Sequence, residues 1–335
     1  MLEGDGRRIS GLIRRTLSDP AGNWVDYRAV GSKVLLLVGG FDRVSSLAPL
    51  FDQWGTVREI QASFWVPVLA GRDLGSVFRA ERFCLAVPYI FVDNPMSYLG
   101  GHEAYGYAKT MGRFDPEDAL GPLTRIDTFG GRFSTESRAS WTRFMEISAS
   151  APAEPAEGPP PFGARELLDL AFGSTLLPNA EGEVVLPGLE LTATLVEDLL
   201  EGRMRQVFLK QFRDAGDGTR ACYQSVVEAP IEVKHSVMRR SGRKWEVSFA
   251  RLDSHPIEAE LGISDQRAQL VFDGELDMVV QTGVEIGRIA GPTPADALPT
   301  TMPPREPGLL SGAVEGALGL AGGIARRLRT AIRPG

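Results

Sequence analysis

The sequence predicts an α+β protein in which antiparallel β-structure predominates. Short segments rich in Val, Ile and aromatic residues recur along the chain, and clusters of Gly, Asp and Ser separate them. Few stretches show the period of a long helix. Repeated strands with short turns favour an antiparallel sheet or barrel over a doubly wound sheet, in which helices alternate with strands.

The first half of the chain is predicted to be mostly strands. Residues 1–29 form a polar, poorly periodic lead-in, and an apolar run at 33–38 predicts the first strand. A brief helix is predicted at 43–51. Strands at 57–69 and 82–92 follow, and the loop between them makes a hairpin. Next comes a glycine-rich stretch, 97–107, which predicts a turn or one short helix.

The second half continues the pattern after a Pro/Ala/Glu segment near 149–162 that cannot pack a core. A helix is predicted at 164–172, where leucines share one side. Strands are predicted before that segment at 124–133 and 141–147. After it, strands are predicted at 190–194, 206–212, 221–233, 245–249, 269–272 and 275–286. We therefore expect one domain at 30–289 with an insertion near 149–162.

Residues 290–335 are expected to form a Pro-rich linker and an Ala/Gly-rich basic tail. Residues 309–325 carry Glu315 as their only charge, and Arg326-Arg327-Leu328-Arg329 follows. The apolar run barely reaches the roughly 20 residues of a spanning helix and is diluted by glycine. Two interpretations stay open: residues 308–335 contact a partner or an anionic membrane surface, or the tail is frayed.

Composition excludes several classes of function. The net charge of -7 argues against general affinity for nucleic acid. Two cysteines, Cys84 and Cys222, and three histidines, His102, His235 and His255, are dispersed, so no metal site is predicted. No apolar run of signal-peptide type is present near residue 1, and a cytoplasmic location is expected.

Lys109 is the strongest candidate for chemistry because glycines, aromatics and small apolar residues surround it. An exposed lysine has a pKa of about 10.4 and is charged at neutral pH. Burial disfavours the ammonium form and yields a nucleophilic amine. The alternative is that Lys109 extends from an apolar surface into solvent. The chain has no phosphate-binding loop, dinucleotide fingerprint or G-x-S-x-G elbow.

The stretch 93–112 reads DNPMSYLGGHEAYGYAKTMG and resembles the acetoacetate decarboxylase superfamily. That signature is an aspartate after a strand, then Gly-Arg-Glu, a spacer, and Gly-Tyr-Pro-Lys-Lys. The positions that match are Gly101, Glu103, Gly106, Tyr107 and Lys109. The segment 57–68 is similar to the family's glutamate-bearing strand, and the resemblance extends over about residues 30–290.

The resemblance implies a cone-shaped barrel with a few helices and a lyase that uses no metal or organic cofactor. Lys109 stands where the family forms a Schiff base with a small oxo acid, for decarboxylation or for aldol condensation and dehydration. Glu59 is expected to handle protons or to position the substrate. His102, Glu103 and Tyr107 are expected to bind the substrate, and a homo-oligomer is expected by analogy.

Three departures from the signature keep a second function open. His102 replaces the arginine, Ala108 the proline and Thr110 the second lysine. Without that neighbouring cation, only desolvation is left to lower the pKa of Lys109. Arg28 or Ser32 stands near the family's carboxylate-binding arginine. The alternative is a non-catalytic protein that binds a metabolite or joins an assembly with the same fold.

Overall fold

The computed structural model describes residues 1–22, 24–75, 78–116, 121–150, 185–187, 203–269 and 271–290. The described strands are β1 (Leu2–Glu3), β2 (Asp26–Ala29), β3 (Lys33–Ser46), β4 (Val57–Asp73), β5 (Phe78–Val92), β6 (Lys109–Asp115), β7 (Leu123–Gly130), β8 (Ser140–Ala149), β9 (Val185–Pro187), β10 (Arg203–Arg213), β11 (Ala221–Arg240), β12 (Trp245–Phe249), β13 (Gln266–Arg267), β14 (Phe272–Val280) and β15 (Val284–Ala290).

The helices are short and few within these ranges. They are α1 (Gly6–Ile13), α2 (Asp19–Ala21), α3 (Pro95–Tyr105) and α4 (Ile257–Leu261), with a π-helical turn at Arg14–Ser18 and a 3₁₀ turn at Phe51–Trp54. Most strand pairs are antiparallel, while β5 runs parallel to β6, β9 and β10, and β14 runs parallel to β3. The predicted α+β class with mainly antiparallel strands is confirmed.

Six strands pair in a closed circuit. β5 pairs with β10, β10 with β11, β11 with β14, β14 with β3 and β3 with β4, and β4 pairs with β5 again. Each of these strands contributes side chains to one buried cluster, which therefore occupies the interior of the ring. This inner cluster includes Phe41, Trp65, Leu85, Phe208, Ile231 and Met278.

A second buried cluster covers the opposite face of β3, β4, β5, β10 and β11. Phe64, Tyr89 and Val207 belong to this outer cluster, together with Ile9 and Leu12 of α1. Residues 1–29 are thus part of the core rather than a polar lead-in. Asp5 caps α1 by accepting hydrogen bonds from the N–H groups of Arg7 and Arg8, as an N-cap aspartate does.

Alternation along β4 sets up the site. Glu59 pairs directly with Phe41 of the inner cluster, and directly opposed residues of an antiparallel pair share a face. Gln61 and Ser63 follow at two-residue intervals on the same face, whereas Phe64 belongs to the outer cluster. β4 therefore presents a row of polar side chains to the ring interior.

Most of the predicted strands are confirmed, with extended ends. The hairpin of 57–69 with 82–92 is confirmed, since β4 and β5 pair from Gln61–Val92 to Asp73–Phe78. The helix predicted at 43–51 is wrong, because β3 continues to Ser46 and only a 3₁₀ turn follows. The strand predicted at 275–286 is interrupted at 281–283. β6, which begins with Lys109, was not predicted.

Several predictions lie outside the described residues. They are the Pro-rich segment from residue 151 onward, the helix at 164–172, the strand at 190–194 and the tail from residue 291. In the part of the chain that is described, no helix has the length and apolar character needed to cross a membrane.

Candidate active site

A tight reversal after α3 delivers Lys109 to the edge of the ring. Gly106 ends the helix with φ of 80°, a conformation that favours glycine. A Cβ atom there would lie 2.4 Å from the Cα atom of Lys210. The chain then enters β6, where Lys109 pairs in parallel with Ile90 of β5. The glycine in the motif is therefore explained by both backbone conformation and close packing.

The side chain of Lys109 is buried, with 7% of its surface exposed. Its stem crosses α3 at Gly101, where an added Cβ would be 3.0 Å from both Cδ and Cε of the lysine. Its Nζ atom lies 5.2 Å from the centroid of the Tyr107 ring. Lys109 is therefore a buried lysine and does not extend into solvent.

Two polar side chains meet the Lys109 amine. Nζ lies 3.4 Å from Oε2 of Glu59, which is 2% exposed. Nζ also donates a hydrogen bond to Oγ of Ser97, and that hydroxyl donates to the same Glu59 oxygen. The structure thus brings a lysine, a serine and a glutamate from β6, α3 and β4 into one buried group.

Burial lowers the pKa of Lys109 below its ordinary value, and the neighbouring Glu59 carboxylate opposes part of that change. Desolvation is the larger of the two effects. This agrees with the expectation drawn from Thr110, which supplies no second cation. The lower pKa increases the neutral, nucleophilic fraction of the amine.

Tyr107 forms an aromatic wall beside the lysine. Its hydroxyl donates to Oε1 of Gln206 at 2.6 Å, and its ring centroid lies 4.1 Å from that of Phe208. Burial raises the pKa of Tyr107 well above its ordinary value. The phenol therefore stays protonated and is held by Gln206, while its ring contributes apolar surface to the site.

His102 and Glu103 do not join this group. Their side chains are 42% and 47% exposed and lie 3.9 Å apart, Nδ1 to Oε1, on the outer side of α3. Ser97, Gly101 and Tyr105, at four-residue intervals, are the buried positions of the helix. Residues 102 and 103 follow one and two positions after Gly101, so they point away from Lys109.

Arg28, near the expected carboxylate-binding position, is occupied elsewhere. It forms ion pairs of 2.9 Å with Asp26 and with Asp73, and its guanidinium lies 4.4 Å from the Phe78 ring centroid. Ser32 donates to Glu3. Among the described residues, no group of three or more His, Cys, Asp or Glu side chains is placed to hold a metal ion.

Ser97, Gln61, Ser63 and Gln206 were not predicted as site residues. Ser63 Oγ accepts hydrogen bonds from Gln61 Nε2 at 2.8 Å and from Trp65 Nε1 at 2.6 Å, which extends the polar row of β4 beyond Glu59. A signal for Ser97 was present in its four-residue spacing from Gly101, one of the positions that match the lysine motif. Gln206 lies 97 positions after Lys109 and has no local signal.

No protein-family model matches the chain, and no curated protein matches it. Several solved structures are similar to the chain. Acetoacetate decarboxylase from Legionella pneumophila is 11% identical, with 83% of this chain and 96% of that chain covered and a TM-score of 0.39. An acetoacetate decarboxylase-like enzyme from Sphingomonas wittichii RW1 is 9% identical, with coverages of 86% and 89% and a TM-score of 0.42.

A further similar structure is that of the enduracididine biosynthesis enzyme MppR, complexed with the condensation product of pyruvate and imidazole 4-carboxaldehyde. Identity is 11%, each chain is covered to 85%, and the TM-score is 0.40. At such identities the chemistry has to be argued from the side chains around Lys109. The chain is similar to solved structures of acetoacetate decarboxylase and of an acetoacetate decarboxylase-like enzyme.

Proposed function

We propose that the protein is a cofactor-independent lyase that acts on a small oxo acid through a Schiff base on Lys109. The observation that carries the proposal is the buried amine of Lys109, with its lowered pKa, in contact with Ser97 and Glu59. Imine formation requires a neutral amine and a neighbouring group that gives and takes protons.

The reaction begins when the nitrogen of Lys109 attacks the carbonyl carbon of the substrate. The carbonyl oxygen takes up two protons, one from the attacking nitrogen and one from an acid, and leaves as water, while the nitrogen becomes part of a cationic iminium. This cation accepts the electron pair released when an adjacent carbon loses carbon dioxide or a proton. The resulting enamine is protonated, or it attacks an aldehyde in an aldol step.

Glu59 is the proposed proton carrier because it is the carboxylate in contact with the amine. As a carboxylate it removes protons from nitrogen or carbon, and as an acid it returns them to the departing oxygen or to the enamine. The ring of Tyr107 excludes water from this side of Lys109. Exclusion of water strengthens the electrostatic effect of Glu59 on the iminium.

The alternative is a non-catalytic protein that binds a metabolite or joins an assembly. One observation favours it: Lys109 and Glu59 are also a self-sufficient buried ion pair, completed by Ser97. A homo-oligomer, a cytoplasmic location and a role for residues 308–335 stay predictions. Light scattering of the full chain beside a chain that ends at residue 307 measures whether the tail affects oligomer size.

Borohydride trapping distinguishes the two functions. The protein is incubated with pyruvate or acetoacetate, reduced, digested and examined by mass spectrometry. We expect a reduced adduct on Lys109 and none on Lys33 or Lys234, which pair with surface glutamates Glu3 and Glu232. Lys109→Arg is the matched variant, because it keeps the positive charge but has no amine that forms an imine.

The expected result for Lys109→Arg is loss of the adduct to background with a cooperative unfolding transition retained. If wild-type Lys109 stays unmodified across a panel of small oxo acids, the lyase proposal is wrong. An adduct that forms equally on Lys33 and Lys234 would contradict it too, because it would reflect ordinary surface reactivity.

A further inference from the structure

Ser97 lies in the first turn of α3, and hydrogen bonds fix the start of this helix against β4 on both sides of Glu59. Asn94, the N-cap of α3, accepts hydrogen bonds from the N–H groups of Met96 and Ser97 and donates through Nδ2 to the carbonyl of Arg58 at 2.7 Å. The preceding Asp93 accepts from the N–H group of Ile60 at 2.7 Å. The start of α3 is thus tied to the residues before and after Glu59.

These contacts give the Ser97 hydroxyl a fixed position between the two ionisable groups. Oγ accepts a hydrogen bond from Lys109 Nζ and donates one to Glu59 Oε2. Lys109 Nζ and Glu59 Oε2 are themselves 3.4 Å apart, which is long for a charge-assisted hydrogen bond. The shorter hydrogen-bonded route from the amine to the carboxylate passes through Ser97, beside the longer direct contact.

We propose that Ser97 relays protons between Lys109 and Glu59 and so prepares the nucleophile and the acid in one step. This inference rests on the proposed Schiff-base function and adds a residue to it. Ser97 is a positioning and relay residue, since it acts through the amine and the carboxylate.

The transfer balances without any further reactant. One N–H bond of the Lys109 ammonium breaks and its proton goes to Ser97 Oγ, while the Ser97 O–H bond breaks and that proton goes to Glu59 Oε2. The products are a neutral amine, an unchanged serine and a carboxylic acid. Two opposite charges disappear from a buried site, which reduces the desolvation cost of keeping both ionised.

The same route in reverse assists the loss of water. After the amine has added to the carbonyl, Glu59 returns its proton through Ser97 to the hydroxyl on the former carbonyl carbon. That C–O bond breaks, water leaves, and the electron pair of nitrogen forms the iminium. Glu59 becomes a carboxylate again, next to the new cation, so charge is conserved.

Three other polar side chains, Tyr107, Thr110 and Ser63, are not placed to relay a proton between Lys109 and Glu59. The hydroxyl of Tyr107 donates to Gln206, and burial keeps the pKa of this phenol high. Thr110, where the family signature has a second lysine, carries no ionisable group. Ser63 accepts from Gln61 and Trp65 and belongs to the next part of the polar row.

The test compares Ser97→Ala with Ser97→Thr, which restores a hydroxyl. Ser18→Ala is the matched control, because Ser18 also donates and accepts, but to the backbone of Tyr27. Two rates are measured from pH 6 to about pH 10, the range over which a lysine of lowered pKa titrates. They are borohydride-trapped imine formation with pyruvate, and acetylation of Lys109 by acetic anhydride, which needs no oxo acid.

We expect Ser97→Ala to slow imine formation roughly 10- to 100-fold, since relayed acid–base assistance is lost. Its acetylation profile against pH should stay near that of wild type, because acetylation depends on the equilibrium protonation of Lys109 and needs no proton returned to a departing hydroxyl. Ser97→Thr should recover most of the imine rate, and Ser18→Ala should keep it. An equal fall of both rates would overturn the relay, because Ser97 would then set only the position or charge of the lysine.

Two other outcomes test the Ser97 relay and the Schiff-base function separately. If wild type forms the imine and Ser97→Ala forms it as fast, the relay alone is wrong. If wild-type Lys109 is acetylated but never gives an imine with pyruvate or acetoacetate, the Schiff-base function is wrong and the relay falls with it.

Discussion

Two buried glutamates, Glu59 and Glu228, each lie beside a cation, but on opposite faces of the ring strands. Glu59 meets Lys109 on the inner face. Glu228 accepts hydrogen bonds from Nε and NH2 of Arg82, at 3.1 and 2.9 Å, and from the hydroxyl of Tyr27 at 2.8 Å, where Tyr27 belongs to the outer cluster.

The two cations differ in what they do with a proton. Arginine stays charged in proteins, and its planar fork fixes a carboxylate from two sides. Against the opposing effect of burial, the hydrogen bond and the charge of Glu228 raise the pKa of Arg82. For Lys109 burial is the larger effect, and its pKa is lowered. The outer pair therefore stays ionised, and the inner pair keeps a releasable proton.

Replacement of each glutamate by glutamine tests this difference and should give the largest effect on stability. Glu228→Gln leaves Arg82 with a charge that it cannot lose and with the carboxylate of Glu81 at 3.7 Å, so we expect a decrease of about 2 to 3 kcal/mol in the free energy of unfolding. Glu59→Gln leaves Lys109 able to release its proton, so the expected decrease is about 1 kcal/mol. Urea titration at neutral pH measures both.

Glu246→Gln supplies the control, because Glu246 lies exposed on β12. Its unfolding free energy should stay within about 0.5 kcal/mol of wild type. Equal losses for Glu59→Gln and Glu228→Gln would show that both pairs are structural, and would remove the distinction between them.

The site could be predicted from sequence where it is local. Gly106 and Lys109 belong to one contiguous turn, and the apolar residues near Lys109 in the sequence predicted that its side chain is buried. The direction of side chains around α3 was not predicted, and for that reason His102 and Glu103 were placed in the pocket. The four-residue spacing of Ser97, Gly101 and Tyr105 contained that information.

The errors in the fold have similar causes. Ile9, Leu12 and Ile13 follow a helical spacing behind the N-cap Asp5, yet the many polar residues of this segment concealed it. The helix predicted at 43–51 overlaps the end of β3, just after the polar residues Asp42 and Arg43. In the structure they lie at a bulge between Phe41 and Val44, where β3 pairs irregularly with β4.

Of the two cations in these pairs, only Lys109 should make the free energy of unfolding depend on pH in the alkaline range. The pKa of Lys109 is lower in the folded chain than the value of about 10.4 expected when it is unfolded. Between these two values the unfolded chain binds one more proton, so stability rises with pH, by at most about 1.4 kcal/mol per pH unit. Below the folded pKa the cost of burying the ammonium is present in full.

The slope is isolated by comparison with the double variant Lys109→Met/Glu59→Gln, in which neither group titrates. Urea titrations at several pH values above about 7 give the difference between the two proteins, because unfolded glutamate stays ionised there. The difference should shift in favour of wild type as pH rises. A flat difference up to pH 10 or so would mean that Lys109 titrates as an ordinary lysine.

A smaller effect is expected from the glycine that accommodates the lysine stem. Alanine in a helix interior is favoured over glycine by up to about 1 kcal/mol. Gly11→Ala in α1 serves as the control and should show that gain, since the new Cβ meets only Arg15 NH1 at 3.7 Å.

In Gly101→Ala the Cβ would lie 3.0 Å from Cδ and Cε of Lys109 and from the Tyr107 ring. The lysine must shift, which offsets the gain and moves Nζ relative to Glu59 and Ser97. We therefore expect unchanged stability, within about 1 kcal/mol, but slower trapping of Lys109 by borohydride. If Gly101→Ala and Gly11→Ala are equally stabilising and trap at the wild-type rate, the position of the Lys109 stem does not control the amine.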